Sequence, residues 1–163
     1  MIQCDAAVKA AMIKAVAETM ENMAFEQVEE AEPGTLTISG NDILWASLSV
    51  IKPSSAEVGI ELSGDYARAA TEALFGFSDE GPAENIVHDA LAEMLNTIAG
   101  RFMAQLTPAQ QEFELGLPQV GRGKKQLGKG DVATLEFNIG EHLLKVYLAG
   151  LNPETGELSN STP

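Results

Sequence analysis

Residues 82–106, with the sequence PAENIVHDALAEMLNTIAGRFMAQL, form the longest helical pattern in the chain. Apolar side chains recur in this stretch every three or four residues, which predicts a helix with one broad buried face. The apolar positions are Ile86, Ala90, Leu91, Met94, Leu95, Ile98, Phe102 and Leu106. We therefore expect this helix to pack along its whole length against the rest of the fold.

The opposite face of the predicted helix carries Asp89, Glu93, Asn96 and Gly100. At about 100° per residue, these four positions fall within an arc of roughly 60°. A glycine in the middle of a helix costs about 1 kcal/mol relative to alanine, so Gly100 suggests that another molecule comes close at this point. Periodicity alone also fits a plain solvated helix face, and on that evidence the solvated face is the simpler interpretation.

The composition indicates one globular domain that contains no membrane segment. The chain has 163 residues, of which 45% are hydrophobic and 21% charged, and this is typical of a soluble domain with its own core. No apolar run approaches the roughly 18 to 20 residues that cross a bilayer, and the first residues do not resemble a secretory signal. Cys4 is the only cysteine, which excludes an internal disulfide and fits the cytoplasm. A net charge of −14 argues against nucleic acid or anionic membrane as a partner.

Patterns elsewhere in the chain predict an α+β fold. Residues 5–23 have helical periodicity, and residues 65–77 predict a short helix that stops at Gly76. Six segments have the alternation or composition of strands: 35–38, 43–51, 56–62, 112–117, 132–139 and 142–149. We expect a mainly antiparallel sheet of about six strands packed against the two long helices. Residues 1–151 would form this single domain, and the polar residues 152–163 would form a flexible tail.

The predicted order of elements suggests that the two halves of the chain are pseudo-duplicates, since a long helix precedes a group of strands in each. Superposing the halves places Glu18 over Glu93 and Glu21 over Asn96. Only the second half therefore has the asparagine, which favours a single functional surface.

Two other patterns suggest binding chemistry, and both are incomplete. Residues 121–130, GRGKKQLGKG, match G-x-x-x-x-G-K, but Gly130 stands where a phosphate-binding loop needs serine or threonine. We interpret the segment as a hairpin loop whose four basic residues could contact an acidic partner. Glu84 and His88 are spaced like a helical ligand pair, but a metal site needs three or four ligands and no further histidine or cysteine lies at ligand spacing. We predict no metal site.

The segment DALAEMLNTIAG, residues 89–100, resembles the D-x-x-x-E-x-x-N motif of the CheC/CheX/FliY family of chemotaxis phosphatases. Asp89, Glu93 and Asn96 stand at the three motif positions. The segment around Pro118 resembles the family's downstream proline segment, with one residue fewer between it and Asn96. Because the motif occurs once, the chain is more similar to CheX than to the two-site CheC and FliY.

This resemblance implies a CheC-like fold and a phosphatase that acts on the aspartyl phosphate of a response-regulator receiver domain, CheY in the type case. It implies that Asn96 positions the attacking water, that Glu93 pairs with the receiver's lysine, and that Asp89 and Gly100 contact the partner. The receiver would supply Mg²⁺, so the chain would need no cofactor of its own. The resemblance to CheX also implies a homodimer, formed through an exposed sheet edge. The alternative is an adaptor that binds a receiver domain or a flagellar or chemotaxis component without hydrolysis.

Overall fold

The computed structural model describes residues 6–23, 26–32, 34, 38, 42–76, 79–125 and 132–150. These residues form three helices and one seven-stranded sheet. The helices are α1 (Ala6–Met23), α2 (Gly64–Phe75) and α3 (Glu84–Leu106). The strands are β1 (Glu29–Ala31), β2 (Ile43–Lys52), β3 (Ala56–Ser63), β4 (Glu114–Leu115), β5 (Gln119–Arg122), β6 (Val132–Ile139) and β7 (His142–Ala149). The α+β class is thus as predicted.

The sheet is antiparallel at every pairing among the described residues, and its order repeats the duplication of the chain. The strands follow the order β1-β6-β7-β3-β2-β4, with β5 also paired to β2. The two halves meet in the middle, where β3 pairs with β7 and Ile60 lies opposite Val146. With β5 counted as the edge strand beside β2, the order is β1-β6-β7-β3-β2-β5. If β1, β2 and β3 exchange labels with β5, β6 and β7, the same order is read from the other end of the sheet. The sheet therefore has internal pseudo-twofold order, in agreement with the predicted pseudo-duplicated halves.

The core lies between this sheet and the helices. α3 packs on α1 and α2, and beneath it lie β2 and β5 at one side of the sheet. Alternate residues of the strands point into the core, as the period of two predicts, and the apolar face of α3 covers them. The largest fully buried side chains include Tyr66, Phe102, Phe137, Met12, Met20, Leu44, Ile60 and Leu62. Within the described ranges, no helix is long and apolar enough to cross a membrane.

Two parts of the sheet differ from the prediction. β1 was not expected, because two of its three residues are glutamates, and it exists through its pairing with β6, where Ala31 lies opposite Glu136. Of the strand predicted at residues 112–117, only the two-residue β4 is present. β5 was not predicted, and its residues Gly121 and Arg122 lie in the segment that we interpreted as a hairpin loop. The strand predicted at 35–38, apart from Ile38, and the tail predicted at 152–163 lie outside the described residues.

Candidate functional site

The polar face of α3 lies in solvent, as its position opposite the apolar face requires. The side chains of Asp89, Glu93 and Asn96 are exposed, and Gly100 is half-buried. We call these four residues the α3 ridge. In the described part of the chain, none of the three side chains is held by an intramolecular hydrogen bond or ion pair. Their polar atoms are therefore available to another molecule.

The backbone beneath the α3 ridge is held rigidly. Leu91, Met94, Leu95, Ile98 and Phe102 on the opposite face are fully buried. Thr97, next to Asn96, donates its hydroxyl hydrogen to the backbone carbonyl of Glu93 at 2.9 Å. Side chains that stand on an immobile helix start from fixed backbone positions, which a site that orients a reacting group requires.

Gly100 leaves bare backbone at one end of the ridge. A Cβ atom added at Gly100 would meet no other atom within 4 Å. Packing within the described chain therefore does not require a glycine there. The chain's own contacts therefore do not explain why a residue of low helix propensity stands at position 100. A close approach by another molecule would explain it.

The flanks of the ridge are different from one another. On one side Arg101 donates a hydrogen bond to Glu18 of α1 at 2.9 Å. Asn96 precedes Arg101 by five residues, which places it about 140° away around the helix axis. Asn96 therefore faces away from the contact with α1.

A network of ion pairs fixes the beginning of α3 to this edge. Arg122 of β5 donates from Nε to Glu84 at 2.7 Å and from Nη1 to Asp42 at 2.6 Å. Arg68 of α2 also donates to Asp42, at 3.0 Å, and to Asp65 at 2.7 Å. The hydrogen bond from Arg68, and after it the one from Arg122, lowers the pKa of Asp42 below its ordinary value. Sequence analysis missed this network because its members are far apart in the chain, and no local pattern joins them.

Neither histidine belongs to a metal site in the described ranges. Nε2 of His88 lies 3.7 Å from the Glu84 carboxylate that Arg122 also holds. His142 packs on the ring of Tyr66, with 4.8 Å between the ring centroids. In the same ranges, no three His, Cys, Asp or Glu side chains are arranged to hold a metal ion.

The basic segment after β5 makes contacts within the chain. Lys125 forms an ion pair with Glu57 at 2.8 Å, and its ammonium group lies 4.7 Å from the centre of the Trp45 ring. Arg122, as described above, is held by two carboxylates. Two of the four basic side chains are thus engaged internally, and residues 126–130 of the segment lie outside the described residues.

The downstream proline segment lies at the sheet edge beside α3. The backbone N–H of Gly116 donates to the carbonyl of Ser49 in β2 at 2.7 Å. The next residue, Leu117, has 91% of its surface exposed. Pro118 then precedes β5, whose Val120 packs on the core.

Comparisons with known proteins agree with this architecture. CheX from Vibrio vulnificus is 16% identical with a TM-score of 0.69, over 87% of this chain and 95% of that one. CheX from Desulfovibrio desulfuricans is 18% identical with a TM-score of 0.69, over 87% and 97%. The CheX–CheY–BeF₃–Mg²⁺ complex from Borrelia burgdorferi contains a chain that is 19% identical with a TM-score of 0.69, over 87% and 96%. At these identities the likeness shows the fold. A comparison with curated proteins found no match.

Two long helices on a pseudo-duplicated antiparallel sheet are the fold of CheC-like proteins. The family model described as chemotaxis phosphatase CheX matches residues 46–135, more than half of the chain. The chain belongs to the CheX family. The α3 ridge and the Pro118 segment both fall within the matched residues.

Proposed function

We propose that this chain is a phosphatase that hydrolyses the aspartyl phosphate of a CheY-like receiver domain. The observation that carries the proposal is the exposure of Glu93 and Asn96, one helical turn apart and free of intramolecular partners in the described chain. The surface has a carboxylate and a carboxamide but no nucleophile of its own. Such a surface suits a reaction whose remaining groups are supplied by the substrate protein.

The chemistry needs little from the phosphatase. A receiver domain holds its acyl phosphate beside Mg²⁺ and a lysine, so the added requirement is a water placed in line with the bond that breaks. The carboxamide of Asn96 can both accept a hydrogen bond from this water and donate one to a phosphoryl oxygen. The water oxygen bonds to phosphorus, the aspartate carboxylate leaves, and inorganic phosphate forms.

Glu93 and the rest of the ridge would set the position of the receiver. The Glu93 carboxylate pairs with the receiver's lysine, which fixes the register of the two proteins. Asp89 contacts the partner one turn earlier on the helix, and Gly100 lets the two backbones approach. Mg²⁺ enters with the receiver, and the chain has no cofactor of its own.

The identity of the partner class is supported by the family and by one relative. CheX of Borrelia burgdorferi forms a complex with CheY, BeF₃ and Mg²⁺. We assign the present chain the same class of partner, a phosphorylated receiver in the cytoplasm. We also propose that the chain is a homodimer joined at a sheet edge, because edge strands expose unpaired backbone groups. Sedimentation analysis tests the dimer, and a concentration-independent mass of one chain would exclude it.

The test of function is the lifetime of phosphate on receivers from the source genome. The wild-type chain shortens that lifetime for its cognate receiver, and Asn96→Ala and Glu93→Ala each reduce the rate by about two orders of magnitude or more, the scale at which a positioned polar group acts. Full activity in both variants would refute the site assignment. Tight binding with an unchanged phosphate lifetime would support the adaptor instead, which needs the same exposed ridge for docking alone.

A further inference from the structure

The edge of the sheet beside α3 contains a bulge. In the pairing of β2, Val50 lies opposite Leu115 and Ser47 lies opposite Gln119. Between these two pairs β2 has two residues, 48 and 49. The facing segment from β4 to β5 has three residues, 116–118. The facing side therefore has one extra residue, and bulges of this kind re-aim side chains at sheet edges and beside functional sites. Leu117 is the central residue of this bulge.

Leu117 is the most exposed large apolar side chain of the described residues, at 91% against 61% for Phe75 and 49% for Ile51. A single exposed leucine is common on protein surfaces and needs no explanation by itself. Its place at a bulge, where the chain departs from the ladder to put it outward, sets Leu117 apart. Its position relative to the α3 ridge is the second reason.

Both ends of α3 are connected to this edge of the sheet. The position along α3 that corresponds to Leu117 can therefore be reckoned from the rise per residue of a strand and of a helix. Arg122 binds Glu84, the first residue of α3, and residues 107–113 connect the last residue of α3 to β4. Leu117 precedes Arg122 by five residues, which is about 16 Å along a strand at 3.3 Å per residue. At 1.5 Å per residue, the same height on α3 corresponds to about residue 95. With α3 and the strand taken as running side by side, this reckoning puts Leu117 level with the turn that holds Glu93 and Asn96.

The direction in which Asn96 faces around α3 is also compatible with this placement of Leu117. α1 occupies one flank of α3 through the contact of Glu18 with Arg101, and Asn96 faces the opposite flank. β5, which follows the bulge directly, contacts α3 at the edge of the sheet. A partner centred on Glu93 and Asn96 meets this edge as it spreads outward from the ridge.

We infer that Leu117 is the apolar anchor of the receiver-docking surface, an inference that rests on the proposed function. Each partner in a standard interface buries about 800 Å², which is a patch of roughly 16 Å radius. Such interfaces have an apolar centre surrounded by polar contacts. The α3 ridge offers two carboxylates, a carboxamide and a glycine, and so lacks an apolar contact. Leu117 supplies it, against an apolar patch beside the phosphorylation site of the receiver.

The test compares binding with turnover in three variants. Leu117→Ser removes the apolar contact, Leu117→Met retains it, and Ile51→Ser is the control. Ile51 is an exposed apolar side chain of β2, at 49%, so its replacement reports the effect of losing an exposed apolar side chain elsewhere on the sheet. Dissociation constants are measured by titration with the Mg²⁺-loaded, beryllofluoride-treated receiver that the wild-type chain dephosphorylates fastest. Phosphate release gives kcat and KM, and circular dichroism verifies folding.

We expect Leu117→Ser to raise both Kd and KM about tenfold with kcat almost unchanged, because it removes binding that is equal in the ground and transition states. Leu117→Met and Ile51→Ser should bind as the wild type does. A wild-type chain that neither binds nor dephosphorylates any receiver would defeat the proposed function itself. An active wild type with normal binding in Leu117→Ser would overturn this inference alone. A change in self-association with receiver affinity intact would assign Leu117 to a contact between copies, and would likewise overturn it.

Discussion

Arg101 of α3 donates a hydrogen bond to the Glu18 carboxylate of α1, with 2.9 Å between Nη1 and Oε2. Superposing the halves of the chain places Glu18 where Glu93 stands in the second half. Lys14 lies 3.8 Å from the other oxygen of the same carboxylate. The glutamate of the first half is thus neutralised within the chain, whereas Glu93 is left to solvent. The contact explains in physical terms why a duplicated fold presents one ridge.

The two equivalent glutamates should respond differently to the same substitution. Glu93→Gln removes the charge that we assign to the receiver's lysine, and we expect dephosphorylation to fall by about tenfold or more. Glu18→Gln removes only a half-exposed ion pair, which contributes about 1 kcal/mol or less, and activity should stay at the wild-type level. Rates of phosphate release and urea unfolding curves check both. Equal losses of activity in the two variants would mean that α1 also takes part in the reaction.

Gly100→Ala should raise the stability of the chain and lower its affinity for the receiver. Because a Cβ atom there meets open space, alanine should stabilise the chain by up to about 1 kcal/mol through helix propensity. The same methyl group would stand between the two backbones in the complex, so affinity for the receiver should fall. Urea unfolding and receiver titration measure the two effects. An unchanged receiver affinity would exclude a close approach at Gly100.

The Asp42 network should make stability depend on pH in the acid range. Its hydrogen bonds, first the one from Arg68, hold the pKa of Asp42 below the ordinary 3.8. A lowered folded-state pKa means stability that is present above the unfolded-state pKa and is lost as the pH falls through the folded-state pKa. Asp42→Asn should therefore be less stable than the wild type at neutral pH, by about 1 kcal/mol or less since the pair is half-exposed.

The measurement for Asp42 is the free energy of unfolding from about pH 6 down to about pH 2. The difference between wild type and Asp42→Asn should shrink toward the acid end. The exposed Asp79 supplies a matched control, since Asp79→Asn changes the net charge equally without touching the arginines. A constant difference at every pH would show that the substitution acts through packing and not through the charge of Asp42.

The single tryptophan reports on the outer face of the sheet. A Cβ atom at Gly121 would lie 2.3 Å from Cζ2 of Trp45, so Gly121→Ala must displace the ring that lies over it. We expect a shift of the tryptophan emission and a loss of about 1–3 kcal/mol of stability, as in other overpacked sites. Gly100→Ala, on the helix layer, is the control and should leave the emission unchanged. An unaltered spectrum in Gly121→Ala would place the ring elsewhere.

The long elements were predictable because their periodicity is local. The first helix was expected at residues 5–23 and runs over Ala6–Met23, and the long helix begins two residues later than expected, at Glu84. The last two strands have the predicted bounds. In each of these elements, one face is apolar over several turns or alternations, so the pattern in the sequence and the buried face in the structure are the same observation.

The parts that sequence analysis missed depend on distant partners. Glu29 and Glu30 have low strand propensity, and they lie in a strand because β6 offers them unpaired backbone groups. The bulge around Leu117 arises from the register of β4 and β5 on β2, which nothing in residues 112–122 determines alone. For the site, the four ridge residues were placed on one exposed face by helical periodicity. Their roles came from the family resemblance, and no local pattern indicated the Glu18–Arg101 contact.

The reversed order of the sheet means that neither half of the chain completes its own sheet. The first half's β1 pairs with the second half's β6, and the second half's β5 pairs with the first half's β2. A polypeptide cut between α2 and α3 would leave two fragments that regain the fold only by complementing each other. Each half thus supplies an edge strand to the other, so the surface that either half presents depends on both.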